Sequence, residues 1–452
     1  MDCGCKMSAA VQSGIYAEYA GSAVFVVRHW LAVLDSGKKI QGKQKVADVK
    51  KMYLVLLFVC LAAAPAAAAD VDPSAVTPYS SGPQKMEEIV AGLTAGYKLP
   101  PLSDADKDYV INLGYYNCDH MAAASVGEYT GIYKALGLNV KVTGNGKVPE
   151  AMSAGKMDMA YAGWTTTLSA AIHNVPLFIA AENHTGGSEY LVVSNKIKKA
   201  EELVGKRISL GNEPETTNLN WAEWSRKLGI PLDSRQYENF AMSDSSEFLA
   251  LSAGDLDAYI ACDPWASMAV YSGVGWPMVT QNTDRPSGHG TCCKVCMNYN
   301  FAKAHPALAE RILLAHTLCI QFMYEHPYTA AVIFSAYYNV PIEVGMMTFW
   351  RKFVDEGRTI RWDLNVDYMR NQLKTMAELH VRDDLNKLKV EDYVDLSYFN
   401  ASGARDFKQF ISENIDPVFP EGMDYKSFRA RALAIDGVKD GEFPEYAELD
   451  RK

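Results

Sequence analysis

The sequence predicts an α/β protein of two similar lobes, each a mainly parallel sheet flanked by helices, with a hinge between them. Three observations carry that expectation. From Tyr109 onward, short apolar runs alternate with helical patterns, the signature of strands joined through crossover helices. One unit occurs twice: "AMSAGKMDMAYA" at 151–162 and "ALSAGDLDAYIA" at 250–261 share Ala, Met/Leu, Ser, Ala, Gly and Asp in register, then run into an apolar strand. The segment between the copies has its own strand and helix series, so the second copy is assigned to a second lobe.

In chain order, "YVINLGYY" reads as a strand and "AAASVGEYTGIYKALG" as one helix ending at Gly137. "LNVKV" is a strand, "VPEAMSAG" a short helix, "KMDMAYAG" a strand, "TTTLSAAIHN" a helix and "PLFIAA" a strand. The second series is "EYLVVS", "KRISLG", the helix "TTNLNWAEWSRKLG" and the strand "RQYENF". In each copy of the repeated unit a glycine, free to adopt a left-handed backbone, stops a helix before a turn and a buried strand. Beyond His305 the spacing is mostly helical, most clearly in "ALAERILLAHTLCIQFMYEHP".

Upstream, "KKMYLVLLFVCLAAAPAAAAD" has two lysines, an apolar run and an Ala-x-Ala ending at Ala69. That is the three-part pattern of a secretory signal peptide, with a run short for a membrane span. Residues 52–69 are therefore expected to be a signal peptide, residues 1–51 a non-native extension ahead of a start at Met52, and the mature chain to begin at Asp70. The mature chain would keep Cys118, Cys262, Cys292, Cys293, Cys296 and Cys319. An oxidising compartment permits disulfides among them, but a chain of this length does not need them to build a core. The whole chain carries a net charge of −10, and the first 69 residues hold eight Lys+Arg against four Asp+Glu. The remainder is more acidic still, which argues against nucleic acid as a partner.

Ligands of open α/β sheets bind outside the carboxyl ends of the strands, at helix starts. Those positions give Asn117, Cys118, Asp119 and His120 after the first strand, and Trp164 and Thr165 after the first repeated unit. They add Asn183 after the next strand, Asn212, Glu213, Thr216 and Thr217 at a helix start, and Cys262, Asp263 and Trp265 after the second unit. Trp221 and Trp224, three apart, suit core packing. Trp164 and Trp265 follow equivalent strands and are expected to face one another across a cleft. Asp263, before Pro264, suits a helix cap. The predicted mouth holds no Lys or Arg, and its acids and aromatics favour a neutral or weakly cationic heteroaromatic ligand.

These stretches also carry a resemblance. "GYYNCDHMAAASVGEYTGIYKALGLNV", "AMSAGKMDMAYAG", "EYLVVSNKIKKAEELVGKRISLGNE", "SAGDLDAYIACDPW" and "CCKVCMNYNFAKAHPALAERI", spanning about 110–325, resemble the periplasmic substrate-binding proteins of nitrate/sulfonate/taurine-type ABC transporters, a group that includes thiamine-pyrimidine-synthase-like proteins. The resemblance implies a type II-like periplasmic binding protein fold with lobe one built from both ends of the chain. The divisions are then an N-terminal arm over 70–106, lobe one over 107–187 and 288–400, lobe two over 188–287, and a C-terminal helical tail over 401–452. It implies capture of a small organic solute, delivery to membrane permease subunits, a periplasmic location, a monomer and no cofactor. Related synthases hold iron with a denser cysteine cluster and use a lysine and a histidine four residues apart. Those positions are Ala162 and Thr166 here, so the synthase chemistry loses its groups.

"SGHGTCCKVCMNYNF" at 287–301 packs three cysteines into five residues. By the resemblance it is a strand returning to lobe one. Strand alternation would put Cys292 and Cys296 on one face and Cys293 on the other. Buried core thiols, a disulfide, and a metal or thiol-sensitive cleft with Cys118, His120 and His289 all remain open, as does pairing of Cys118 with Cys262. The expectation adopted is a structural strand with non-catalytic thiols. An enzyme of the synthase type, or a metal- or redox-dependent sensor, is the alternative.

Overall fold

The structure is a computed structural model that describes residues 85–115, 118–144, 147–211, 218–281, 290–385 and 388–447. The expected extension and signal peptide lie outside these residues, as do Asn117, Asn212, Glu213, Thr216, Thr217 and His289. No helix among the described residues is long and apolar enough to cross a membrane.

Ten strands, numbered along the chain, form two sheets of five. Sheet one holds β1 (Val110–Tyr115), β2 (Asn139–Gly144), β3 (Met159–Gly163), β4 (Leu177–Thr185) and β10 (Thr291–Asn298), in the order β2-β1-β3-β10-β4. Sheet two holds β5 (Glu189–Ser194), β6 (Arg207–Ser209), β7 (Glu238–Phe240), β8 (Ala258–Cys262) and β9 (Gly275–Thr280), in the order β7-β6-β8-β5-β9. The two orders are equivalent. β1 is parallel to β2 and β3, and β6 to β7 and β8. Each sheet also takes in one antiparallel strand: β10 between β3 and β4, and β5 between β8 and β9. Both are the first strands formed after the chain passes from one sheet to the other. The cysteine-rich stretch is therefore the returning strand.

The repeated unit does the same work twice. In each copy a helix, α2 (Val148–Ser153) or α5 (Asp244–Ala253), stops before a glycine with positive φ, Gly155 at 62° and Gly254 at 79°. Asp158 then clamps the parallel neighbour β1: its backbone N–H donates to the Asn112 carbonyl at 2.9 Å and its carboxylate accepts from Asn112 N–H at 2.8 Å. Asp257 repeats both bonds on Arg207 of β6, at 2.8 and 3.2 Å. The shared Asp is thus the residue that ties each strand to its partner.

β5 shows why its sequence lacks alternation. Leu191 and Val193 pack on one side with Ile208, Trp221, Trp224 and Ile260, while Tyr190 and Val192 pack on the other with Phe248, Leu251 and Tyr259. A strand covered on both faces is apolar throughout. In lobe one, α7 (Pro306–Glu325) is buried along nearly its whole length. The helix expected to run unbroken to Gly137 is split: α1 (Ala123–Thr130) ends at Gly131, whose φ of 79° leaves the helical region, and a short turn Ile132–Ala135 follows. Phe407, Phe410, Phe419 and Phe428 from the last fifty residues, and Ile89 and Val90 from the arm, join the lobe-one core.

Candidate functional site

The carboxyl ends of β1, β3 and β8 open on a cavity of about 290 Å³ with walls from both sheets. The lobe-one wall carries Cys118, His120, Trp164, Thr165, Thr166, Thr291, Cys292 and Cys293. Lobe two contributes Ser188, Glu189, Asn218, Asn220, Cys262 and Gln281. Helix α8 (Val366–Leu379) and the turn after it add Gln372, Met376 and Arg382. A separate cavity of about 350 Å³ runs along Asp363–Arg370 and Lys408, away from the strand ends. Arg361 pairs there with Asp363 at 2.5 Å and Arg370 with Asp367, so the interlobe cavity is the candidate site.

On lobe two, Asn218 caps helix α4 (Leu219–Leu228) by accepting from Trp221 N–H at 3.0 Å. One turn in, Asn220 donates to the Glu189 carboxylate and accepts from the Gln281 amide. Gln281 in turn accepts from Glu189 N–H at 3.1 Å. The lobe-two wall is thus a closed polar chain that fixes Glu189 at the cavity.

The lobe-one wall is set by irregular pairing of β10 with β4. Thr291 opposes Thr185 and Cys293 opposes His184, leaving Cys292 as an extra residue on β10. Such a bulge breaks strand alternation. As a result Cys292 and Cys293 both line the cavity, while Cys296 turns away into a cluster with Met152, Ala160 and Ala162. This corrects the expectation that Cys292 and Cys296 share a face. Cys296 Sγ lies 3.2 Å from the Ala160 carbonyl oxygen and is buried. All six cysteines of the described residues are free.

Two histidines face the thiols. His120 Nδ1 bonds Asp119 Oδ1 at 2.8 Å, and His120 Nε2 lies 2.8 Å from Cys293 Sγ. Its ring stacks on His184 at 4.9 Å. Burial disfavours a charged His120, but the Cys292 sulfur and the Asp119 carboxylate outweigh it and raise the ring to about 10. His184 goes the other way, as burial lowers it to about 4. The Cys293 thiol, and after it the His120 ring, hold Cys292 well below the usual thiol range despite burial. Burial and the neighbouring Cys292 push Cys293 up. The wall thus sets His120, raised, against His184 and Cys292, both lowered.

Beneath it lies a buried ionic network that joins the lobes. Lys352 Nζ donates to Tyr190 Oη at 2.8 Å and to Glu356 Oε2 at 2.9 Å, and sits 3.5 Å from Asp119 Oδ2. Asp119 belongs to lobe one and Tyr190 to lobe two. Asp119 N–H also donates to the Asp263 carbonyl at 3.3 Å.

The other expected residues separate into two groups. Trp164 and Thr165 line the cavity; Trp164 is also nearly buried against Leu168, Leu219 and Met369. Trp265 does not reach the cavity and does not face Trp164: its ring packs 6.0 Å from Phe248 in the second core of lobe two. Asp263 is fully buried and accepts from Ser267 N–H at 2.8 Å and Ser267 Oγ at 3.1 Å, taking up a first-turn N–H of helix α6 (Trp265–Tyr271), whose N-cap is Pro264. Asn183 is buried and donates to the His120 carbonyl at 2.7 Å, so it positions His120 from behind. The mouth expected to lack cations holds Arg382, paired with Asp384 at 3.0 Å. Sequence reasoning passed over Lys352, Arg382, Glu189, Asn220 and Gln281; His184, which stands beside Asn183 at the end of β4, was within its reach.

The chain matches the NMT1-like family over residues 104–336. No curated protein matches it. Among solved structures it is similar to the periplasmic nitrate-binding protein NrtA from Synechocystis PCC 6803, at 14% identity and a TM-score of 0.54, covering 75% of this chain and 100% of that one. It is similar to a putative periplasmic sulfonate-binding protein SsuA from Methylobacillus flagellatus KT, at 15% identity and 0.51, covering 68% and 96%. It is also similar to a Cys-to-Ser variant of DSZB in complex with biphenyl-2-sulfinic acid, at 14% identity and 0.50, covering 65% and 98%. The fold is accordingly the two-lobed one of periplasmic binding proteins, and the chain belongs to the NMT1-like family.

Proposed function

We propose that the protein is an extracytoplasmic solute-binding component of an ABC importer. It takes a small solute between its lobes, closes about the hinge and hands the solute unaltered to membrane permease subunits. One observation carries this reading: the cavity of about 290 Å³ lies between the strand ends of two equivalent sheets and draws polar side chains from both. The volume is at the small end of ligand pockets. Its walls offer Trp164 as an aromatic face, Arg382 and His120 on one side, and Glu189 on the other. That set suits a small planar solute with an acceptor group toward Arg382 and a donor toward Glu189. The nitrate- and sulfonate-binding neighbours support the class of function. Export through the segment 52–69 and a monomeric state complete the proposal.

The test is mass spectrometry of small molecules released from the purified protein, followed by calorimetric rebinding of the molecule found. Rebinding of one unaltered molecule per chain supports capture.

A second reading rests on a specific feature, the lowered Cys292 thiol beside His120 and His184, an arrangement used to activate nucleophiles. Conversion of the rebound molecule, with loss of conversion in Cys292→Ser, would favour an enzyme.

A further inference from the structure

We propose that the lobe-one wall of the cleft is a binding site for a soft d10 cation, with Zn2+ the expected ion, held by His120, His184 and Cys292 and completed by Cys118 or Cys293. The inference stands apart from solute capture, because ion binding is measured on the protein alone and either reading can fail without the other.

One ligand atom each from His120, His184 and Cys292 lie within 4.8 Å of one another. Zinc held at about 2.0 Å from nitrogen and 2.3 Å from sulfur places tetrahedral donors about 3.5 Å apart. Reaching that spacing from 4.8 Å asks for a movement of about an ångström. Cys118 and Cys293 both line the same cavity, so a fourth donor is at hand.

His184 is fully buried, yet neither ring nitrogen makes a hydrogen bond of normal geometry. Its polar neighbour is the Cys292 sulfur. A buried imidazole has two ring nitrogens to satisfy, and a single thiol neighbour leaves one of them over. A cation at this point would satisfy the ring.

Asp119 Oδ1 accepts from His120 Nδ1, which fixes the tautomer and aims Nε2 at the thiols. Carboxylate–histidine pairs of this form orient metal ligands in zinc sites. Asp119 is itself fixed by buried Lys352. The bulge at Cys292 completes the design, because regular alternation would have sent one of the two adjacent thiols to the far face. Two imidazoles with thiolates select zinc or copper over calcium and magnesium, which take oxygen donors.

The experiment titrates reduced, metal-free protein with Co2+ and then with Zn2+. The expected result is one Co2+ per chain, with thiolate-to-cobalt charge-transfer absorption and tetrahedral d–d bands, displaced by one equivalent of Zn2+. Asp119→Asn should weaken Zn2+ binding by about 10–100-fold. Cys292→Ser and His184→Gln should weaken it further, and Cys296→Ser should not. If the variants fold poorly, alkylation mapping on the parent protein decides: Zn2+ should shield Cys292, and removal of the ion by a chelator should restore its alkylation. Absence of the cobalt charge-transfer band in the reduced parent would overturn the proposal. So would a band that survives Cys292→Ser and His184→Gln combined, or unshielded Cys292. Uptake of Cu+ with rejection of Zn2+ would overturn the zinc assignment.

Discussion

Replacing Lys352 with Met should destabilise the protein sharply while leaving its side-chain volume almost unchanged. Lys352 is fully buried, with Tyr190 Oη at 2.8 Å, Glu356 Oε2 at 2.9 Å and Asp119 Oδ2 at 3.5 Å. Methionine fills the same space but takes away the ammonium that faces both the Asp119 and the Glu356 carboxylates. Breaking a buried pair by deleting one partner costs about 3–5 kcal/mol. With an unfolding entropy of about 2.1 cal/mol/K per residue, a folded unit of this length shifts by about 1.3 °C per kcal/mol. Lys352→Met should therefore lower the Tm by roughly 4–7 °C, from the same arithmetic. The assay is differential scanning calorimetry at pH 7. Adding Glu356→Gln should recover part of the loss, because one of the stranded charges is gone. A Tm within about 1 °C of the parent, outside the range worked from these costs, would refute the reasoning. So would a double variant whose losses simply add.

Stability should also fall on acidification through His316. Its Nε2 donates to the Glu182 carbonyl at 2.8 Å, its Nδ1 accepts from Tyr161 Oη at 3.0 Å, and burial lowers its pKa to about 4. Between about pH 6.5 and 4 the unfolded chain binds a proton that the folded ring refuses, so this stabilisation is present above pH 6.5 and is lost at about 1.4 kcal/mol per pH unit below it. Urea midpoints across that range should fall more steeply in the parent than in His316→Gln; equal slopes would contradict the assignment. Trp265→Ala should leave solute affinity within about twofold, whereas Trp164→Ala should weaken it by about 1–3 kcal/mol and cost about 3–5 kcal/mol of stability, read by calorimetric titration and melting. Equal losses of affinity would return Trp265 to the cleft. Exported protein should begin near Asp70 by N-terminal sequencing, and an intact Met1 on exported material would refute the signal peptide.

The architecture was legible because its signals are local. Alternation of strands with helices, and a unit repeated with its Gly and Asp in register, depend on backbone periodicity and turn chemistry that the sequence writes directly. The returning strand β10 was legible through the resemblance. The site was legible where it hangs on strand ends, as at Cys118, His120, Trp164 and Thr165. Other parts depend on pairing between distant segments. The bulge at Cys292 arises from how β10 meets β4, and nothing in "GTCCKVC" alone specifies it. Lys352 and Glu356 stand four apart in a helical stretch, which reads as a solvated surface pair; their burial comes from Tyr190 and Asp119, which meet them from far along the chain. Arg382 reaches the cleft from beyond α8, far along the chain from every strand end. Trp265 was misplaced because equivalence of strands does not extend to the direction of the next side chain: the helix after Asp263 turns its ring toward Phe248.

The central claim is reversible capture of a solute between the two lobes. Native mass spectrometry of the purified protein, before and after adding back the small molecules released on denaturation, tests it most directly. The account predicts one molecule bound per chain, unchanged in mass after incubation and release, with binding weakened by Trp164→Ala and not by Trp265→Ala. A molecule returned with altered mass, or no molecule retained by the parent protein and none rebound, would contradict it.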